Sequence, residues 1–195
     1  MRSRTVTAAV ITASLLLSAC SAPQLPPAKP PGDGMITSSM LAELTFEELV
    51  DNSDWIFLGT VTGQESRWDA GRTNINTLVT IAVSEWLKGK PFTTSPEGKY
   101  SKNLLSCQRS DSVVVTVPGG KVGDITQWVE DTPQFQTGEQ VLLFLHSYRD
   151  GAVEVVGGVQ GKFAIVNGNA VPAIPSSGSV PLAELVSRIK TQLAK

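Results

Sequence analysis

Apolar positions recur with a helical period at the two ends of residues 41–195 and with a period of two through most of what lies between. Thr45 and Glu48 have capping-box spacing, Leu44 and Leu49 that of a hydrophobic staple, and Phe46, Leu49 and Val50 share one face, which predicts a short helix starting at Thr45. Asp51-Asn52-Ser53-Asp54 turns the chain into a strand over residues 55–62, with Gly59 marking a bulge. A polar loop at residues 64–76, holding Trp68, leads to a second long strand over 77–87 whose Val79, Ile81 and Val83 face inward. Residues 88–111 show no periodicity and read as a long connection. Residues 113–117 form a strand stopped by Pro118-Gly119-Gly120, and 125–129 a shorter one with Trp128 as a packing residue. The run at 141–145 is apolar on both faces, as suits a central strand covered from both sides. Arg149-Asp150-Gly151 turns it back onto residues 152–156, Gly157-Gly158 gives backbone freedom, and Asn167-Gly168 turns the strand at 163–166 towards Val171. Pro181 starts a last helix whose Leu182, Leu185, Val186, Ile189 and Leu193 form one apolar stripe, a lid for the sheet. The expectation is a mainly β domain, a small barrel or sandwich of about five to seven strands with short flanking N- and C-terminal helices.

The first residues follow another pattern. Arg2 and Arg4 precede an uncharged run over residues 5–19, too short to span a bilayer, with the basic start, apolar middle and small-residue end of a secretory signal. Leu17-Ser18-Ala19-Cys20 resembles the lipobox of bacterial lipoproteins. That resemblance implies export, a diacylglyceryl group on the Cys20 thiol, cleavage before Cys20 and acylation of the freed amine. Two or more acyl chains hold a protein on a membrane where one does so only marginally. Residues 1–19 are then the signal peptide, 20–40 the lipidated cysteine and a Pro-rich tether, and 41–195 a single β-rich domain. Pro23, Pro26, Pro27, Pro30 and Pro31 make the tether an extended spacer, reaching some 40 Å at about 3.1 Å per residue. The expected location is the extracytoplasmic side of a bacterial membrane, and Ser21 after Cys20 allows the outer membrane where the host has one.

Charge and cysteine count narrow the chemistry. The formal net charge is −2, and the signal removes two arginines and no acid, so the exported part is more acidic still and not that of a dedicated nucleic-acid binder. With Cys20 lipidated, Cys107 has no intramolecular partner and reads as a buried thiol, a mixed-disulfide site or a nucleophile. The lone histidine, His146, ends the apolar strand, and a Cys107–His146 pair would be the machinery of an envelope hydrolase. His and Cys are too few for a zinc site, and residues 157–162 lack the spacing and Ser/Thr of a phosphate-binding loop, so no cofactor or metal is expected.

Asn52-Ser53-Asp54-Trp55-Ile56-Phe57-Leu58-Gly59-Thr60-Val61, followed by a polar loop, a long strand and Trp86-Leu87-Lys88-Gly89, resembles the opening of netrin-type modules and tissue inhibitors of metalloproteinases. The resemblance extends over residues 46–166 and implies an OB-like five-stranded barrel with helices beside it. The inhibitors' zinc-chelating N-terminal cysteine and their disulfides have no counterpart here, so their inhibitory chemistry does not carry over with the fold. The expected function is a membrane-anchored, non-enzymatic binding domain for an envelope protein or polymer, with Trp68, Lys99, Tyr100, Lys102 and Arg109 as contacts. The alternatives are the Cys107/His146 hydrolase and, by analogy with the netrin-type module, a protease-inhibitor-like module that would need some other reactive edge.

Overall fold

The computed structural model describes residues 35–37, 41–89, 93–94, 97–101, 112–148, 151–174 and 178–195. In chain order these form β1 (Met35–Thr37), α1 (Phe46–Asp51), β2 (Trp55–Trp68) and β3 (Ile75–Lys88). The short pieces β4 (Thr93–Thr94) and β5 (Tyr100–Ser101) precede β6 (Ser112–Pro118), β7 (Gly120–Val122) and β8 (Ile125–Val129). The last part holds β9 (Gln140–Ser147), β10 (Val153–Val155), a 3-10 turn at Gly158–Gly161, β11 (Lys162–Val166), β12 (Asn169–Pro172), β13 (Val180–Pro181) and α2 (Leu182–Leu193).

The capping box forms: the Thr45 hydroxyl accepts from Glu48 N–H at 3.2 Å, and the Glu48 carboxylate accepts from Thr45 N–H at 2.8 Å. The principal sheet runs β13-β12-β11-β9-β2-β3-β6. β9 is its centre, with β2 along one edge and β11 then β10 in succession along the other. Period-two geometry therefore divides the apolar run of β9 between two cores. Val141, Leu143 and Leu145 join Phe57, Val79, Ile81 and Val115 inside the curved sheet, while Leu142 and Phe144 face Leu49 and Val50 of α1 and Leu185 and Ile189 of α2. The C-terminal stripe is the expected lid.

The mainly β reading with two flanking helices holds, and the structure adds strands to it. The principal sheet has eight, and β1-β8-β7 and β4-β5 form two small sheets, where about five to seven strands were expected. The barrel is not closed, because β6 and β10 border the same core without sharing a ladder. Residues 64–68, predicted as loop, continue β2, and Trp68 pairs with Ile75. Their side chains are exposed or half-buried, so this part of the strand carries no apolar alternation. The true turn is 69–74, where the Asp69 carboxylate accepts from Thr73 N–H at 2.8 Å. Gly59 sits at a register shift, and a Cβ there would lie 2.6 Å from the Ala82 carbonyl oxygen, so the bulge depends on glycine.

One end of the curved sheet is sealed by residues 130–139. Phe135 plugs the core, and Gln64 Nε2 donates to its carbonyl at 2.9 Å. Lys162, only 5% exposed, donates to the Gln134 carbonyl and to both Glu139 carboxylate oxygens at 2.7 and 2.9 Å. Its ammonium also stands 4.6 Å from the Phe135 ring centroid.

Candidate functional site

Two cavities lie on either side of this segment and share Val117, Pro118, Val129, Thr132 and Pro133 as a wall. The first, about 320 Å³, is the barrel-end space bounded by Gln64, Val79, Trp128 and Phe135. The second, about 330 Å³, lies where β6 and β10 meet and collects the chemically interesting side chains: His146, Tyr148, Glu130, Asp131, Glu154 and Leu41.

Local structure explains each of them. His146 and Tyr148 are two residues apart, so both project from one face of the chain as it leaves β9, and their rings meet edge-on at 6.3 Å. Glu154 of β10 is paired directly with His146. Glu130 and Asp131 arrive in the turn after β8; Asp131 takes a left-handed φ of 57°, and its carbonyl accepts from Val159 N–H at 3.0 Å. Leu41 is held by the buried Gln160, whose Oε1 accepts from Leu44 N–H at 2.7 Å while its Nε2 donates to Ala42 O at 2.9 Å. Gly158, at a φ of 57°, lets the 3-10 turn approach that arm, since a Cβ would stand 2.7 Å from Leu41 and collide with the Asp131 carbonyl.

Burial pushes the His146 imidazole below its usual value, with the Asp54 carboxylate pulling the other way, so the ring is neutral at pH 7. Asp54 also accepts from Ser147 N–H at 2.8 Å. The Thr116 hydroxyl on the cavity wall is covered and has no hydrogen-bond partner among the described residues. The groove thus offers two well-exposed apolar side chains, Leu41 (43%) and Tyr148 (54%), beside the carboxylates of Glu130, Asp131 and Glu154.

The chain matches no protein-family model and no curated protein. Among the described residues no helix is long and apolar enough to cross a membrane, and no cluster of three or more His, Cys, Asp or Glu is placed to hold a metal ion.

The residues expected to make contacts are spread out. Lys99 is exposed and bridges to Ala152, beside the groove. Trp68 is half-buried at the far end of β2 and lines neither cavity. Tyr100 lies on β5, and Lys102, Arg109, Cys107 and Cys20 lie outside the described residues. His146 was legible as a titratable residue, but Leu41, Tyr148 and Glu154 were not: none carries a motif, and only pairing of distant segments brings them together. Residues 157–162, read as backbone freedom, also supply the Gln160 clamp and the buried Lys162. No local pattern distinguishes that lysine from a solvated one.

Proposed function

We propose that the chain is a membrane-anchored extracytoplasmic lipoprotein whose folded part is a non-enzymatic binding domain, with the groove at the β6–β10 junction as its contact surface. One observation carries the reading of the groove: Leu41 and Tyr148, among the most exposed large apolar residues described, converge on a single concavity edged with carboxylates. Leu17-Ser18-Ala19-Cys20 supports the anchor, and the clamp on residues 42–44 keeps the N-terminal arm beside the groove, so a partner would be met close to the tether. A photo-crosslinking residue at Tyr148 is expected to form specific adducts in envelope fractions, whereas one at Val171, exposed elsewhere on β12, forms none. Equal labelling from both positions removes the groove as the contact surface. For the anchor, mass spectrometry is expected to find acyl chains on Cys20, and Cys20→Ser to leave the protein soluble.

His146 on the cavity wall, with a neutral ring, is the one feature that favours the hydrolase reading. That reading requires the Cys107 thiol to react with iodoacetamide at neutral pH well above the rate of an ordinary thiol, and His146→Gln to abolish the excess. An ordinary rate disposes of it.

A further inference from the structure

We propose that the end of the domain carrying the β7–β8 hairpin rests on the lipid bilayer that holds Cys20, with Ile125 inserted at the boundary between headgroups and acyl chains. This rests on the reading of Cys20 as a membrane anchor and adds which face of the domain meets the lipid.

The pairing of β1 locates that face. β1 runs parallel to β8, with Met35 opposite Gln127 and Thr37 opposite Val129. Going back along β1 towards the tether is therefore going back along β8 towards Ile125 and the turn at Gly123-Asp124. The Pro-rich residues 21–34 join this point to Cys20 with a reach of some 40 Å, at about 3.1 Å per residue. A tether of that length presents the surface it leaves from to the membrane at an effective concentration on the order of millimolar. A contact too weak to bring a free protein to the bilayer is then enough to orient an anchored one.

The hairpin at this end is held in a fixed orientation. Gly119 and Gly120, at φ of 90° and 138°, turn β6 into β7, and a Cβ on Gly120 would collide with the Thr77 and Ser66 hydroxyls, so β7 lies directly against the β2–β3 hairpin. The buried Gln127 side chain accepts from Ile75 N–H and donates to Asn74 Oδ1 at 3.2 Å, which fastens β8 to the same hairpin. Ile125 is the next residue of β8 on that face, one step nearer the tip, and there it is 51% exposed. Of the exposed large apolar side chains described, it alone lies on a strand paired with β1. Trp68, paired with Ile75, is half-buried at the same end, and an indole is a side chain suited to headgroup level.

Charge does not drive the contact. Along these two hairpins Arg67, Arg72 and Lys121 are matched by Glu65, Asp69 and Asp124, so the surface is near neutral and a zwitterionic lipid satisfies it. The groove lies past the other end of β8, at Val129 to Asp131, and stays open to a partner.

The test uses the lipidated mature chain with Cys107→Ser, carrying a nitrobenzoxadiazole fluorophore through Asp124→Cys, Tyr148→Cys or Val171→Cys, reconstituted into phosphatidylcholine vesicles. Phosphatidylcholine spin-labelled on its acyl chain is expected to quench the probe at position 124 at least about two-fold more than at 148 or 171. The excess should survive high salt and vanish with Ile125→Ser at an unchanged thermal midpoint, since the side chain replaced is exposed. Equal quenching at the three positions, in a protein that still floats with the vesicles, overturns the docking and leaves the anchor standing. An excess that persists in Ile125→Ser overturns Ile125 as the inserted residue, and one that needs anionic lipid and disappears in high salt replaces insertion by electrostatic adsorption. A protein that does not float with the vesicles and carries no acyl chain on Cys20 removes anchor and docking together.

Discussion

Around Lys162 every polar atom has an answer: the ammonium reaches one carbonyl and two carboxylate oxygens, Glu139 also accepts from Gln136 N–H at 3.1 Å, and Phe135 lies across the group. Around Thr116, on the other side of the same 130–139 segment, a covered hydroxyl has no hydrogen-bond partner among the described residues, on the wall of a cavity that Glu130, Asp131 and Glu154 also line. One segment makes both regions, its second half closing the barrel end and its first half forming the rim of the groove. A buried charge fully paired within the chain is a structural fastening. A covered hydroxyl without a partner at the edge of a cavity is a group that a ligand can complete. The unusual buried lysine is thus the less promising functional residue, and an ordinary threonine the more promising.

The contrast can be broken most sharply at its sealed side. Glu139→Gln leaves Lys162 charged and buried without its counter-ion, with an expected loss of about 3 kcal/mol in urea unfolding. Lys162→Met should cost less, because the Glu139 side chain left behind is 20% exposed against 7% for Lys162. The reverse order would show that the lysine fastens the segment by packing rather than by charge. A smaller effect, about 2 kcal/mol, is expected for Gln160→Ala, which strips the partners from Leu44 N–H and Ala42 O. Because that clamp sets Leu41, adduct formation from Tyr148 should fall with it, linking the sealed and open regions.

On the groove side the effects on stability are smaller and depend on pH. Burial places the folded-state pKa of His146 below its unfolded value, so its contribution to stability is complete above about pH 6.5 and is lost as pH falls through the folded value. Stability should therefore decline on acidification below about pH 6.5, and His146→Gln should flatten that part of the profile. An unchanged profile in the variant would place the imidazole in solvent. The smallest change in stability, within about 0.5 kcal/mol, is expected for Asp131→Asn, since Asn tolerates the left-handed φ and the Asp131 carbonyl keeps its bond to Val159 N–H.

Much of the fold was legible where the cause is local. The Thr45 cap, the Gly59 bulge, the Asn167-Gly168 turn and the C-terminal stripe each depend on a few adjacent residues, and each forms as read. The alternation at 79–83 and the doubly apolar run at 141–145 likewise reported which positions are buried. The polar continuation of β2 to Trp68 was missed because its side chains are exposed or half-buried and so lack the apolar alternation by which strands are recognised. Lys162 was missed because burial of a lysine depends on Glu139 and Gln134, more than twenty residues earlier in the chain. The groove was missed for the same reason, as its walls come from the arm at Leu41, β6, the turn after β8, and β9 with β10.

By itself the sequence determined the order of elements, the faces they bury and a lipobox-like leader, because turn chemistry, caps and side-chain period act between near neighbours. Only the tertiary structure decided that β6 and β10 meet without pairing, and which distant side chains edge the gap. An unmade ladder is a relation between two strand edges, and no residue of either strand records it.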